Sequence, residues 1–221
     1  MRKIKDPISG FTHLAGMIAS IVGLVFLIIY SAKYSNDRVY DIVSFSLFGS
    51  FLILLYASSA FYHLLDLSEK ATMVLKKIDH IMIYFVIAAS YTPICLGPLR
   101  GGWGWSIFGV VFGLSIIGLF LTIFWISAPR WLTTGLYLAM GWMAIVAVYP
   151  MIIKFIALGA FHSLFWLLLG GIFYTIGGII YGLKWPKLKN KHFSFHEIFH
   201  IFVLLGSLSH YWFVIGHLLW I

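Results

Sequence analysis

The last long apolar segment of the chain opens with Phe195-His196-Glu197-Ile198-Phe199-His200, which carries two histidines four residues apart. On a helix, residues at that spacing lie one above the other on a single face. Two imidazoles so placed can bind one transition metal ion. At 100° per residue, Ser207, His210 and His217 fall within about 60° of His196. A polar stripe of this kind on an apolar helix faces protein rather than lipid. Its histidines are then either metal ligands or buried polar side chains bonded to neighbouring helices, since both roles occur in membrane bundles. The choice turns on whether other ligands arrive at the same depth. Two residues qualify, His63 and Asp79, and Ser59 stands four positions before His63 on the same helical face.

The elements that must position these residues are transmembrane helices. The 221 residues are 62% hydrophobic and only 10% charged, whereas a soluble domain carries about 25% charged residues. A helix crosses the bilayer with about 20 apolar residues, and the chain holds seven such stretches with short links between them. The sequence therefore predicts an all-α, polytopic membrane protein: one seven-helix bundle occupying residues 1–221. Span one covers roughly Ile8–Ser31, span two Ile42–Leu65, span three Ile78–Leu96 and span four Trp103–Ile126. Span five covers Trp131–Tyr149, where Pro150 ends or kinks it, and Met151–Ala160 reads as an interfacial connection broken by Lys154 and Gly159. Span six runs over Phe161–Leu183, and span seven ends near Trp220. The basic start, Met1 to Pro7, leads into an apolar run without a small-residue cleavage site, so it reads as a retained first span rather than a signal peptide.

The net charge of +8 does not indicate nucleic acid, because the Lys and Arg residues lie in the links, where membrane orientation accounts for them. Eleven of the fifteen lie before span one or in the second, fourth and sixth links, and four lie in the first, third and fifth. The positive-inside rule then puts the amino terminus in the cytoplasm and the carboxyl terminus outside. That orientation gathers His63, Asp79, His196 and His200 in one cytoplasmic layer, joined by His13. Cys95 is the single cysteine, so an intrachain disulfide and a cysteine-rich metal site are both excluded. A metal here is held by His, Asp or Glu. Three histidines and a carboxylate suit zinc (Zn2+), and three protein ligands leave a fourth position open for water, as in catalytic sites. Asp79 is then either a fourth ligand or the group that orients and deprotonates the water, and Ser59 is placed to hydrogen-bond a ligand, the water or a substrate.

Ser59-Ala60-Phe61-Tyr62-His63, then Asp79, then His196 through His200 resemble the S-x-x-x-H, D and H-x-x-x-H signatures of the hemolysin III and progestin/adipoQ receptor (PAQR) family. Phe11-Thr12-His13-Leu14-Ala15-Gly16 is similar to the T-H-x-x-G opening of its bacterial branch, although Ser9 stands where bacterial members often have Asn. The resemblance covers nearly the whole chain. It implies a zinc ion held by His63, His196 and His200, with Asp79 bonded to a water on the metal. Animal adiponectin receptors of this family are regarded as ceramidase-like amide hydrolases, and some bacterial members carry a cytolytic label. The resemblance thus leads us to expect a multi-pass protein of the cell membrane that hydrolyses a lipid-like amide or ester, with membrane lipid as substrate or ligand, Asp79 acting on the water and Ser59 steadying developing charge. Two alternatives stand beside it. One is a pore-forming cytolysin, supported mainly by the family name; seven uniformly apolar spans and a retained first span argue against a secreted toxin. The other is a receptor or membrane-homeostasis sensor with a structural zinc.

His196-Glu197-Ile198-Phe199-His200 also fits H-E-x-x-H, the metalloprotease helix in which Glu is the general base. That pattern is short, it here opens a membrane span, and the receptor branch of the resembling family tolerates Gln at the Glu position, so Glu197 is not read as the base. His80 and His192 read as solvated at the cytoplasmic interface, His162 as lying on the outer side, and His210 and His217 as helix contacts or cavity lining.

Overall fold

A computed structural model describes residues 5–188 and 193–218, the side chains of His217 and Leu218 excepted. Among the described residues the chain is helical without strands. Nine α-helices follow one another: α1 (Pro7–Tyr34), α2 (Arg38–Leu64), α3 (Glu69–Ser90), α4 (Thr92–Leu96), α5 (Gly102–Phe124), α6 (Arg130–Gly141), α7 (Val148–Ala157), α8 (Ser163–Leu183) and α9 (Phe195–Leu218), with a 3-10 turn, Trp142–Ala147, between α6 and α7. They make seven helical stretches long and apolar enough to cross a membrane, because α3 with α4, and α6 with α7, each count as one. Hydrocarbon offers the backbone no hydrogen bonds, so apolar runs of this length satisfy their own amides as helices. Large apolar side chains such as Val22, Ile117, Phe124 and Phe165 point outward, as a lipid-facing surface requires.

α1 packs against α2 and α9, α2 against α3, α3 against α5 and α6, α6 against α8, and α8 against α9. The helices α1, α2, α3, α6, α8 and α9 thus close a ring, and α5 leans on α3 from outside it. Small residues permit the closest approaches. A Cβ at Gly16 would lie 2.7 Å from Leu204, and one at Gly206 would lie 2.8 Å from the Tyr174 ring, the small-residue packing expected where no water drives helices together.

Two departures from the sequence reading bear on the third and fifth spans. The link expected over Asp66–Lys77 is helical from Glu69, with the Ser68 side chain capping α3 by accepting from the Ala71 N–H. Asp79 therefore lies in the third turn of its helix rather than at its start. The connection expected over Met151–Ala160 is instead largely helix, and the fifth span runs over Arg130–Ala157. Its irregular part comes earlier, at Trp142–Ala147. There the Tyr91 hydroxyl lies 2.8 and 2.6 Å from the Met140 and Gly141 carbonyl oxygens and accepts from the Ala144 N–H at 3.2 Å, taking over partners that the interrupted helix lacks. Pro150 falls in the first turn of α7, where its missing N–H leaves no helical bond unmade.

Candidate metal centre

Helix starts and ends meet at one end of the bundle. The Asp6 N–H donates to the His63 carbonyl at 2.9 Å, tying the start of α1 to the end of α2. Lys77 Nζ donates to the Ile123 carbonyl at 2.7 Å, tying α3 to the end of α5. Arg130, opening α6, lies over the rings of Tyr181 on α8 and Phe195 on α9. This is the end that the sequence reading assigned to one layer, and it brings His63, His196 and His200 together.

His196 Nε2 lies 3.2 Å from His63 Nε2 and 3.1 Å from His200 Nε2, and one nitrogen from each ring falls within 4.8 Å of the others. His63 and His200 are buried, and His196 is partly so. A ring nitrogen can donate or accept, but not both at once. His196 Nε2 therefore cannot satisfy both neighbours by hydrogen bonding. The cluster can hold a metal ion.

The surrounding groups fix these rings. His63 Nδ1 lies 3.1 Å from Asp6 Oδ2, which puts the proton on Nδ1 and leaves Nε2 free as a ligand, the arrangement in which a carboxylate orients a metal-binding imidazole. His13 of α1 stacks on His200 with ring centroids 3.8 Å apart and an interplanar angle of 15°. At the start of α9, Ser194 and Glu197 form a capping box: Glu197 Oε2 accepts from the Ser194 N–H and hydroxyl, both at 2.7 Å, while Ser194 Oγ accepts from the His196 N–H at 3.2 Å. Glu197 Oε1 accepts from Ser9 Oγ at 2.8 Å. Both carboxylate oxygens of Glu197 are thus engaged in holding α9 to its cap and to α1. This gives Ser9 a contact that the sequence did not indicate.

Asp79 and Ser59 face each other, the hydroxyl being the side-chain hydrogen-bonding neighbour of the carboxylate. Asp79 is not among the groups close enough to join the three histidine nitrogens. It lines, with Ser59, His196 and His200, a cavity of about 530 Å³ that runs inside the helix ring. The walls beyond this polar end are largely apolar, and His162, just before α8, and Phe165 on α8 line the far end. His80 is half-buried rather than solvated. It lines the same cavity, and its Nδ1 lies 2.8 Å from the Lys76 carbonyl. His210 also lines the cavity, whereas His192 and the side chain of His217 lie outside the described residues. Two contributors escaped the sequence reading, Asp6 and Ser194. The signal for Ser194 was legible in Ser194-Phe195-His196-Glu197 as S-x-x-E before an apolar run. The contact of Asp6 with His63 spans 57 residues and has no local signature.

Comparison with known proteins gives one family. The haemolysin-III-related family model matches residues 1–211. The chain is 41% identical to a hemolysin-3 homolog of Bacillus subtilis over 208 residues, covering 94% of this chain and 92% of the relative. It is 34% identical to hemolysin-3 of Bacillus cereus, covering 98% and 93%, and 28% identical to the adiponectin receptor protein of Drosophila melanogaster, covering 91% of this chain and 48% of that protein.

Proposed function

The chain belongs to the haemolysin-III-related family of multi-pass membrane proteins, and from this premise we propose that it is a zinc-dependent hydrolase of a lipid-like amide or ester, with its metal centre near the cytoplasmic face. The observation that carries the proposal is the convergence of three histidine Nε2 atoms at the polar end of a long apolar cavity. Zinc held tetrahedrally at about 2.0–2.1 Å from nitrogen keeps its ligand atoms about 3.3 Å apart, close to the 3.1 and 3.2 Å observed. His63, His196 and His200 would hold the ion. The chemistry it would supply is Lewis-acid polarisation of a carbonyl and a lowered water pKa, to about 7.

The protein's own groups do the rest. The apolar walls admit an acyl chain and exclude bulk water. Asp79 takes a proton from the attacking water at a carboxylate oxygen as the water oxygen bonds to the acyl carbon. It returns the proton to the departing nitrogen or oxygen as the acyl bond breaks. Ser59 holds the carboxylate in place by its hydroxyl. Asp6 and His13 keep the rings of His63 and His200 oriented. Eleven of fifteen Lys and Arg residues lie at the metal end or in links leading to it, which supports a cytoplasmic placement. Reporter fusions at Ile221 should be active outside the cytoplasm; cytoplasmic activity would move the centre to the outer face.

The test measures zinc content and fatty-acid release from ceramide-like amides and ester lipids on the same nanodisc preparations. Wild type should carry about one zinc per chain and release fatty acid. Asp79→Asn should keep the zinc and lose about 10²–10⁴-fold in rate, the usual contribution of a positioned acid or base. A zinc-loaded wild type that hydrolyses nothing in a broad panel would leave a structural zinc and a sensor role. The names of the Bacillus relatives support a second, membrane-lytic reading. It requires that pure protein release dye from lipid vesicles whether or not metal is present.

A further inference from the structure

Arg130 opens α6 at the metal end, and the exposed Trp125 and Trp131 flank it in the sequence. Exposed tryptophans mark the membrane–water interface, so Arg130 stands at headgroup depth. Its side chain is exposed, and its guanidinium lies over the Tyr181 ring at 4.9 Å and the Phe195 ring at 5.6 Å. A guanidinium stacked on rings keeps its N–H edge free, and that edge matches a phosphate with two parallel hydrogen bonds. Among the described residues no carboxylate lies within ion-pair distance of Arg130, and no hydrogen bond engages it. Lys77 at the same end is different, because it donates to the Ile123 carbonyl.

Arg130 adjoins the cavity. Tyr181, under its guanidinium, lines the cavity, and so does Thr134, one turn further along α6. The Tyr181 hydroxyl makes no hydrogen bond to a described residue. His80, a further lining residue, has Arg130 and Lys76 as its cationic neighbours. The carboxylates here are engaged elsewhere: Asp6 at His63, Glu197 at Ser9 and Ser194, and Asp79 beside Ser59 within the cavity. Free donors and unpaired positive charge at headgroup depth, next to an apolar cavity, suit an anionic head on an apolar chain. We propose that Arg130, with the Tyr181 hydroxyl and the Lys76 ammonium, binds the phosphate of a lipid whose acyl chain occupies the cavity. The inference rests on the reading of the cavity as a lipid site and adds a substrate class to it, acyl lipids with a phosphate headgroup.

The experiment uses full-length, zinc-loaded protein in dodecyl maltoside micelles, which carry neither charge nor phosphate. Oleoyl lysophosphatidic acid and oleoyl glycerol, which share the acyl chain, compete with a fluorescent-tailed monoacylglycerol. In the wild type the phosphate lipid should bind about tenfold more tightly, the size of one charge-assisted hydrogen-bonded contact. Arg130→Gln should abolish that preference and leave oleoyl glycerol affinity unchanged. Arg130→Lys, a point charge without the fork, should keep only part of it. Lys187→Gln, which removes a positive charge from the sixth link, should leave it intact. Equal affinities in the wild type overturn the proposal even if the Arg130 variants fail to fold. So does a preference that survives Arg130→Gln, or one that falls as far in Lys187→Gln, since general surface charge would then account for it. Millimolar inorganic phosphate should not displace the probe; displacement as effective as that by the phosphate lipid overturns the lipid assignment in favour of a free anion. If neither lipid displaces the probe, the lipid reading of the cavity falls as well. If the preference is present and hydrolysis is absent, the headgroup site stands and the hydrolase reading falls.

Discussion

The two ends of the helix bundle both bury polar side chains, and they close their hydrogen bonding to different degrees. At the far end Asp41, almost fully buried, accepts from Ser35 Oγ at 2.6 Å. Ser44 donates to the Asp41 carbonyl at 3.1 Å, and Thr92 donates to the Ser44 carbonyl at 2.7 Å. Arg100 pairs with Asp37 and lies over the Tyr40 ring. Each of these side chains has a partner of its own, and the network ties α1, α2 and α4 together. At the metal end three ring nitrogens converge on one another, although at most one of the two short contacts can be a hydrogen bond. A network that satisfies itself contributes to the fold, whereas one that converges without satisfying itself could hold a metal ion. Burying polar groups costs the protein at both ends, so the presence of buried polar residues does not distinguish the two; the arrangement of donors and acceptors does.

Replacing members of each network separates them most sharply. His63→Ala, His196→Ala and His200→Ala should each lose zinc, while Asp41→Asn and His162→Ala keep it, as metal analysis of the purified proteins will show. With free zinc at about a thousand times its Kd, binding stabilises the fold by about 4 kcal/mol. Chelation should then lower the melting temperature of the wild type by roughly 10 °C and leave that of His63→Ala where it is. Asp41→Asn should cost about 1–3 kcal/mol of stability through an imperfectly paired buried group and show the same chelator response as the wild type. Equal zinc in the wild type and all three histidine variants would remove the distinction between the two ends.

Asp6→Ala sharpens the comparison at smaller scale. Asp6 touches His63 Nδ1 but makes no side-chain cap to α1, so its loss leaves the helix start intact and frees the imidazole to rotate. Zinc affinity should fall about 10–100-fold, the usual cost of removing a group that orients a metal ligand, with thermal stability unchanged when zinc is saturating. An unchanged zinc affinity would mean that the stacking of His13 and the packing of α2 fix the ring without Asp6.

The sequence made the seven spans and the histidine layer legible because both follow from simple rules. Apolar length gives the spans, and the Lys and Arg asymmetry places His63, Asp79, His196 and His200 at one end before any contact is known. It did not show the break at Trp142–Ala147, because the break is set by the Tyr91 hydroxyl reaching across from the third span, a contact between residues about 50 apart. Pro150 drew attention to the wrong position for the same reason. The pairing of Asp6 with His63 and of Ser9 with Glu197 was illegible too: each joins helices distant in sequence, and neither residue type carries a spacing signal. His210 shows where periodicity stops being informative. Its place on the histidine stripe of α9 was readable, but the direction its ring faces depends on Gly170 of α8.

Glu197 provides the smallest and most discriminating test. By its spacing alone it could be the general base of a metalloprotease-like H-E-x-x-H helix. In the fold its two carboxylate oxygens are occupied by Ser9 and Ser194, and it serves the N-terminus of α9. Gln can fill the same position in a capping box, since it also accepts from the backbone N–H. Glu197→Gln should therefore cost less than about 1 kcal/mol, retain zinc, and change lipid hydrolysis by no more than a few-fold. Glu197→Ala should cost somewhat more stability, because the cap is then half made, and should also retain zinc. A fall in hydrolysis for Glu197→Gln as deep as that for Asp79→Asn, with zinc and stability intact, would transfer the proton-accepting role from Asp79 on α3 to Glu197 on α9. The two carboxylates would then have exchanged places between the network that completes itself and the one that does not.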